Sequence, residues 1–105
     1  MEKLRKGAFY NKALKCKFSL PERFTVRDHE KWVVAREEAE AHGAKTTISV
    51  NWVSATRVIE EWECELLPDF NTALEEISNE QLAVINWVGT TVMSYILGLF
   101  AIPKN

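Results

Sequence analysis

Residues 82–102 read LAVINWVGTTVMSYILGLFAI, and no charged side chain occurs between Glu80 and Lys104. Wound as a helix, at about 100° per residue, the run divides into two faces of different character. Val84, Ile85, Val88, Val92, Ile96 and Leu99, with Tyr95 at the margin, make an aliphatic stripe as wide as a core-facing helix needs. On the other side Asn86, Thr90, Ser94 and Gly98 recur at four-residue intervals, with Ala83 and Thr91 nearby and Trp87 among them. A water-facing helix surface ordinarily carries Lys, Glu or Gln, whereas small, weakly polar side chains let a second helix approach closely. This face is built to be covered. Ala83, Trp87, Thr90, Ser94 and Gly98 are therefore the expected binding residues, for a protein partner or for another copy of the chain.

Three settings suit such a helix: the centre of a small soluble core, a helix completed by a second chain, or a membrane span. The run meets the span length of about 20 residues, and its Thr and Ser hydroxyls can bond back to the helix backbone in lipid. Against a span, the polar residues gather on one side, Trp87 lies well inside the run, and Lys104 is the only basic flank. A soluble domain is expected, with insertion of residues 82–102 in a bilayer as the alternative.

A chain of 105 residues makes one domain with a modest core. Its 47% hydrophobic and 27% charged content is that of an ordinary globular protein. The net charge of -2 does not suggest a nucleic-acid partner, but the charges are unevenly placed. Lys3, Arg5, Lys6, Lys12, Lys15 and Lys17 crowd the first 17 residues, and residues 60–80 carry eight acidic side chains and no basic one. The two blocks are expected to face each other. Cys16 and Cys64 are too few for a disulfide framework. The opening MEKLRKGAFYNKALK lacks the apolar segment of a signal peptide. A reducing cytoplasm is expected, that of the host if the chain is viral.

Residues 13–20, ALKCKFSL, alternate by twos: Leu14, Cys16, Phe18 and Leu20 on one side, Lys15, Lys17 and Ser19 on the other. The pattern predicts a half-buried strand closed by Pro21. Residues 3–10 supply the other arm of a hairpin turning at Asn11 and Lys12, with Phe9 opposite Leu14. Thr25 and Asp28 form a capping box that opens a helix ending at His42 and Gly43, with Trp32, Val33 and Ala35 as its apolar contacts. A second helix is predicted from Thr47 or Ser49 to about Glu61, on the spacing of Trp52, Ala55, Ile59 and Trp62. Residues 62–66 alternate by twos again. Paired antiparallel with residues 14–18, they place Cys64 beside Cys16 and set Glu63 and Glu65 against Lys15 and Lys17. Capping boxes at Thr72 and Ser78 open a short helical turn and the final helix, which Pro103 stops. The fold class is thus α+β: an N-terminal β-hairpin and a third short strand in one antiparallel sheet, packed against about three α-helices.

No catalytic, metal or cofactor signature accompanies these elements. His29 and His42 lie 13 residues apart in one helix, on nearly opposite faces, and the sequence holds no CxxC or HExxH. The two cysteines sit on apolar strand faces, which suits structural thiols rather than nucleophiles. Glu60, Glu61, Glu63 and Glu65 suit a lysine-paired surface rather than acid-base chemistry. No cofactor is expected, nor an enzyme.

The succession FTVRDHEKW, then VIEEWECELLPD, then a final helix ending in AIPKN resembles small phage tail-gene proteins, in particular the tail assembly chaperones. The similarity extends over residues 18–105 and rests on the helix opened by Thr25-Val26-Arg27, the 59–62 stripe and the final helix. It implies a non-catalytic protein that holds a long, apolar, helical tape-measure client in solution. The chain departs from that pattern in a terminal helix without charges.

Overall fold

The protein is described from a computed structural model, which covers residues 4–43, 46–70 and 74–99. Strands β1 (Ala8–Asn11), β2 (Cys16–Ser19) and β3 (Glu61–Cys64) form an antiparallel sheet in the order β1-β2-β3. Helices α1 (Val26–Ala41) and α2 (Thr47–Thr56) lie between β2 and β3 in the chain, and α3 (Asn79–Leu99) follows a short 3-10 turn at Leu74–Glu76. The fold is α+β, as the sequence predicts.

The register between β2 and β3 is the expected one: Cys16 opposes Cys64, Lys17 opposes Glu63 and Phe18 opposes Trp62. Beyond the strand ends, Lys15 Nζ lies 3.6 Å from Glu65 Oε2. Arg5 reaches Glu60 and Glu61, each at 3.8 Å. Arg5, Lys15 and Lys17 of the basic block thus face Glu60, Glu61, Glu63 and Glu65 of the acidic one. Exposed pairs like these contribute only about 0–1 kcal/mol each, so they select the register more than they hold the fold. Replacing Lys15 and Lys17 by Glu should lower stability by about 1 kcal/mol. Adding Glu63→Lys and Glu65→Lys should recover part of it in urea unfolding; no recovery would show that the ladder does not select the register.

The hairpin differs from expectation. β1 pairs Phe9 with Phe18 and Asn11 with Cys16, so the turn is the four residues 12–15, and Leu14 lies in it rather than opposite Phe9. Asn11 does not occupy a turn position; its side-chain Oδ1 accepts the Leu14 N–H at 3.0 Å. Lys15, donating its N–H to Lys12 O at 3.2 Å, takes the left-handed conformation instead, at φ 51. A four-residue slip is even, so Phe9 keeps its apolar face.

The Thr25–Asp28 capping box is present, with Asp28 N–H donating to Thr25 Oγ1 at 3.2 Å and Thr25 N–H to Asp28 Oδ2 at 2.9 Å. The helix ends at His42, and Gly43 has φ 95. Its buried residues are Trp32, Ala35 and Ala39; Val33 is only half-buried. Thr46 caps α2 by accepting the Ser49 N–H at 3.1 Å. α2 stops at Thr56, five residues before the expected Glu61, and Val58 and Ile59 both donate to Ala55 O as the chain turns into β3. The third strand accordingly spans 61–64 rather than 62–66. Ser78 and Gln81 cap α3 reciprocally at 3.0 and 3.2 Å. The expected capping box at Thr72 and the stop at Pro103 lie outside the described residues.

The core joins the sheet to α2 and α3 through aromatic rings. Phe9, Phe18 and Trp62 form a row across the three strands, with centroids 5.2 and 6.3 Å apart. Onto that row Tyr95 and Trp87 of α3 and Trp52 of α2 each set an edge, at 5.4, 5.2 and 5.8 Å. Offset and edge-to-face rings add roughly 0.5–1.5 kcal/mol per contact beyond their buried area.

Candidate functional site: the outward face of the final helix

Helix α3 has an inner side fixed by this core. Val84, Ile85, Val88, Val92 and Ile96 are fully buried; Leu99, expected with them, is half-buried. Between them Gly89 meets α2, where a Cβ on it would lie 2.8 Å from Asn51 Cβ and 3.3 Å from the Asn51 carbonyl carbon. The small residue that lets two helices close together inside the domain is therefore Gly89, on the buried side. In the sequence an isolated glycine does not show which neighbour it faces, so this contact leaves no local signal.

The outer side is open. Of the expected binding residues, Ala83, Thr90, Ser94 and Gly98 are exposed, together with Asn86. Trp87 is half-buried, with one edge on Phe18, and so belongs partly to the core. Two leucines join this face: Leu82 is 42% and Leu97 58% exposed. Among the described residues, a Cβ added to Gly98 would meet no atom within 4 Å. From Leu82 to Leu99 the face carries no charge over about 25 Å of helix, at 1.5 Å per residue. The helix is long and apolar enough to cross a membrane by length and composition.

No family model, curated protein or solved structure matches the chain. Its function must therefore be read from its own residues.

The two histidines lie at opposite ends of α1. His29 stacks beside Trp32 with centroids 5.9 Å apart, and His42 Nδ1 lies 2.7 Å from Glu38 O at the far end of α1. Among the described residues no group of three or more His, Cys, Asp or Glu could hold a metal ion. The Tyr95 hydroxyl is buried without a hydrogen-bond partner among the described residues. Burial raises its pKa, with the Arg5 charge acting the other way.

Cys16 and Cys64 are both free and buried. Glu65 N–H donates to Lys15 O at 3.2 Å, which makes the adjacent Cys16–Cys64 position the close, non-hydrogen-bonded kind, with Cα atoms about 4.5 Å apart. Burial, then the hydrogen bond and charge of Cys64, push the Cys16 thiol well above its ordinary value of 9.0. The native thiols should therefore react with a water-soluble thiol reagent only as fast as the fold opens, and quickly in denaturant. Because the folded state keeps a proton that the unfolded chain releases, this thiol's contribution to stability is full below about pH 9 and declines as the pH rises above it. Rapid native labelling would show that the strand faces are misassigned.

Proposed function

We propose that the chain is a non-catalytic protein-binding module whose working surface is the outward face of α3. The observation that carries this reading is a 21-residue helix with its inner side in the core and an outer side that is exposed, small in profile and uncharged beyond Glu80. A helix surface that faces water ordinarily carries Lys, Glu or Gln, and this one carries none between Leu82 and Leu99. The profile suits another helix, which can approach closely where side chains are small. The resemblance to phage tail assembly chaperones gives the reading its specific form, a helper in the cytoplasm that keeps an apolar helical client soluble. A fluorescent, lysine-tailed leucine–alanine helical peptide serves as the probe. The purified protein should bind it saturably, and Ser94→Lys should weaken binding about tenfold or more while leaving the fold intact. Absent binding, or equal binding by the variant, would overturn the reading.

The length of α3 favours one other reading, a membrane-associated protein with residues 82–102 in the bilayer. Insertion would withdraw Val84, Ile85, Val88, Val92 and Ile96 from contact with α2 and the sheet, leaving Phe18 and Trp52 uncovered. Flotation with phosphatidylcholine vesicles separates the two: the binding module stays with the soluble fraction, the membrane protein floats.

A further inference from the structure

We infer that Cys16 and Cys64 form a redox-sensitive staple: a two-electron oxidant of the small-disulfide class, such as oxidised glutathione, converts the opposed thiols of β2 and β3 into one intramolecular disulfide. The inference goes beyond the binding-module reading and does not depend on it. The two residues are direct partners in the β2–β3 register, at a position of the kind where cross-strand side chains come closest. Cα atoms about 4.5 Å apart there lie within the range of about 4.4–6.8 Å that a disulfide spans. The thiols are hydrogen-bonded to each other, and both are free and buried. The chain has two cysteines, so no third thiol competes for either.

The fold controls when the bond forms. Burial holds the Cys16 sulfur as a thiol, whereas the thiolate is the nucleophile in disulfide exchange. The closed sheet is therefore inert. β3 is an edge strand and Cys64 its last residue, so β3 can part from β2 while β2 stays paired with β1. Parting exposes Cys16 between Lys15 and Lys17, now released from Glu65 and Glu63, and adjacent cations favour a thiolate. That thiolate attacks one sulfur of the oxidant and expels the first small thiolate. Cys64, deprotonated in turn, attacks the Cys16 sulfur and expels the second. The two protein sulfurs give up two electrons and two protons, and the oxidant leaves as two small thiols. The ring so closed runs from residue 16 to residue 64 and contains α1 and α2, so the bond restrains the unfolded chain across both helices.

The test uses the full chain with oxidised glutathione as the probe, under native conditions and at low protein concentration. The intact mass should fall by two hydrogens, peptide mapping should join Cys16 to Cys64, and dithiothreitol should reverse both. The oxidised protein should keep its circular dichroism spectrum and unfold at a midpoint roughly 10 °C or more above the reduced one. Oxidation should be slower than in urea, because the closed sheet protects both sulfurs. Cys64→Ala should show no rise in midpoint on the same treatment. Thiols that stay free in the folded protein long after the urea-unfolded chain has lost them would overturn the staple. So would glutathione adducts or intermolecular dimers that accumulate in place of the ring, or a ring that lowers the midpoint. Each of these is read on wild type, so a variant that fails to fold does not protect the proposal. None of them bears on peptide binding by α3, so the staple and the binding-module reading fail separately.

Discussion

Phe18→Ala is expected to destabilise the protein by about 3–5 kcal/mol, the usual cost of removing a large aromatic from a packed core. Phe18 is 1% exposed and sits on the central strand, with rings from β1, β3 and α3 around it: Phe9, Trp62 and Trp87. Because Phe18 touches both neighbouring strands and the final helix, the void cannot close by one element moving inward. A domain of this size has about 5–15 kcal/mol in all, and the variant should be partly unfolded at moderate temperature. Chemical denaturation of wild type and variant measures the difference. A loss below about 1 kcal/mol would mean that the aromatic row does not organise the core.

The second large effect is expected at Gly89. A leucine there has no room, because its Cβ alone would lie 2.8 Å from the root of the Asn51 side chain, with α2 backbone behind it. Asn51 in turn accepts from Arg36 Nη1 of α1 at 2.7 Å, so moving α2 disturbs α1 as well. Gly89→Leu should cost about 3 kcal/mol or more, at the upper end for overpacking, even though a leucine gains roughly 0.8 kcal/mol in helix propensity over glycine. Gly98→Leu is the matched control. Among the described residues no atom lies within 4 Å of a Cβ placed there, so the same change should leave the monomer as stable or slightly more so. Thermal unfolding of both variants checks this, and equal losses would show that α3 is oriented wrongly about its axis.

The features that could be read without coordinates were those where side-chain chemistry repeats locally. Lys15 and Lys17 alternate with apolar neighbours, as do Glu63 and Glu65, and two period-two patterns of opposite charge admit one favourable register. The caps at Thr25 and Ser78 were legible because a hydroxyl three residues before a carboxylate or amide closes its own hydrogen bonds. The hairpin turn was not, because Lys15 in a left-handed conformation carries no glycine to mark it, and an even slip leaves the apolar faces unchanged. The end of α2 was hidden by coincidence: Ile59 and Trp62 keep helical spacing from Trp52 and Ala55, yet Trp62 is held in the sheet by Phe18, Trp52 and its indole donation to Leu67 O at 2.8 Å. Tertiary packing overrides the local pattern there. On α3 the two faces were legible from composition, whereas the contact at Gly89 and the core edge of Trp87 required knowing what stands opposite.

The central claim is that Ser94 and its neighbours on α3 are outside the fold and are covered by a helix. The labelling rate of a single reporter thiol, Ser94→Cys, tests it most directly, since Cys16 and Cys64 are buried and form a silent background. In dilute protein the reporter should react at the rate of a free thiol. At high protein concentration, or with the probe peptide added, the reaction should slow about tenfold or more. A reporter that is slow at every dilution would place this face in the interior, and one that stays fast under every condition would mean that nothing covers it.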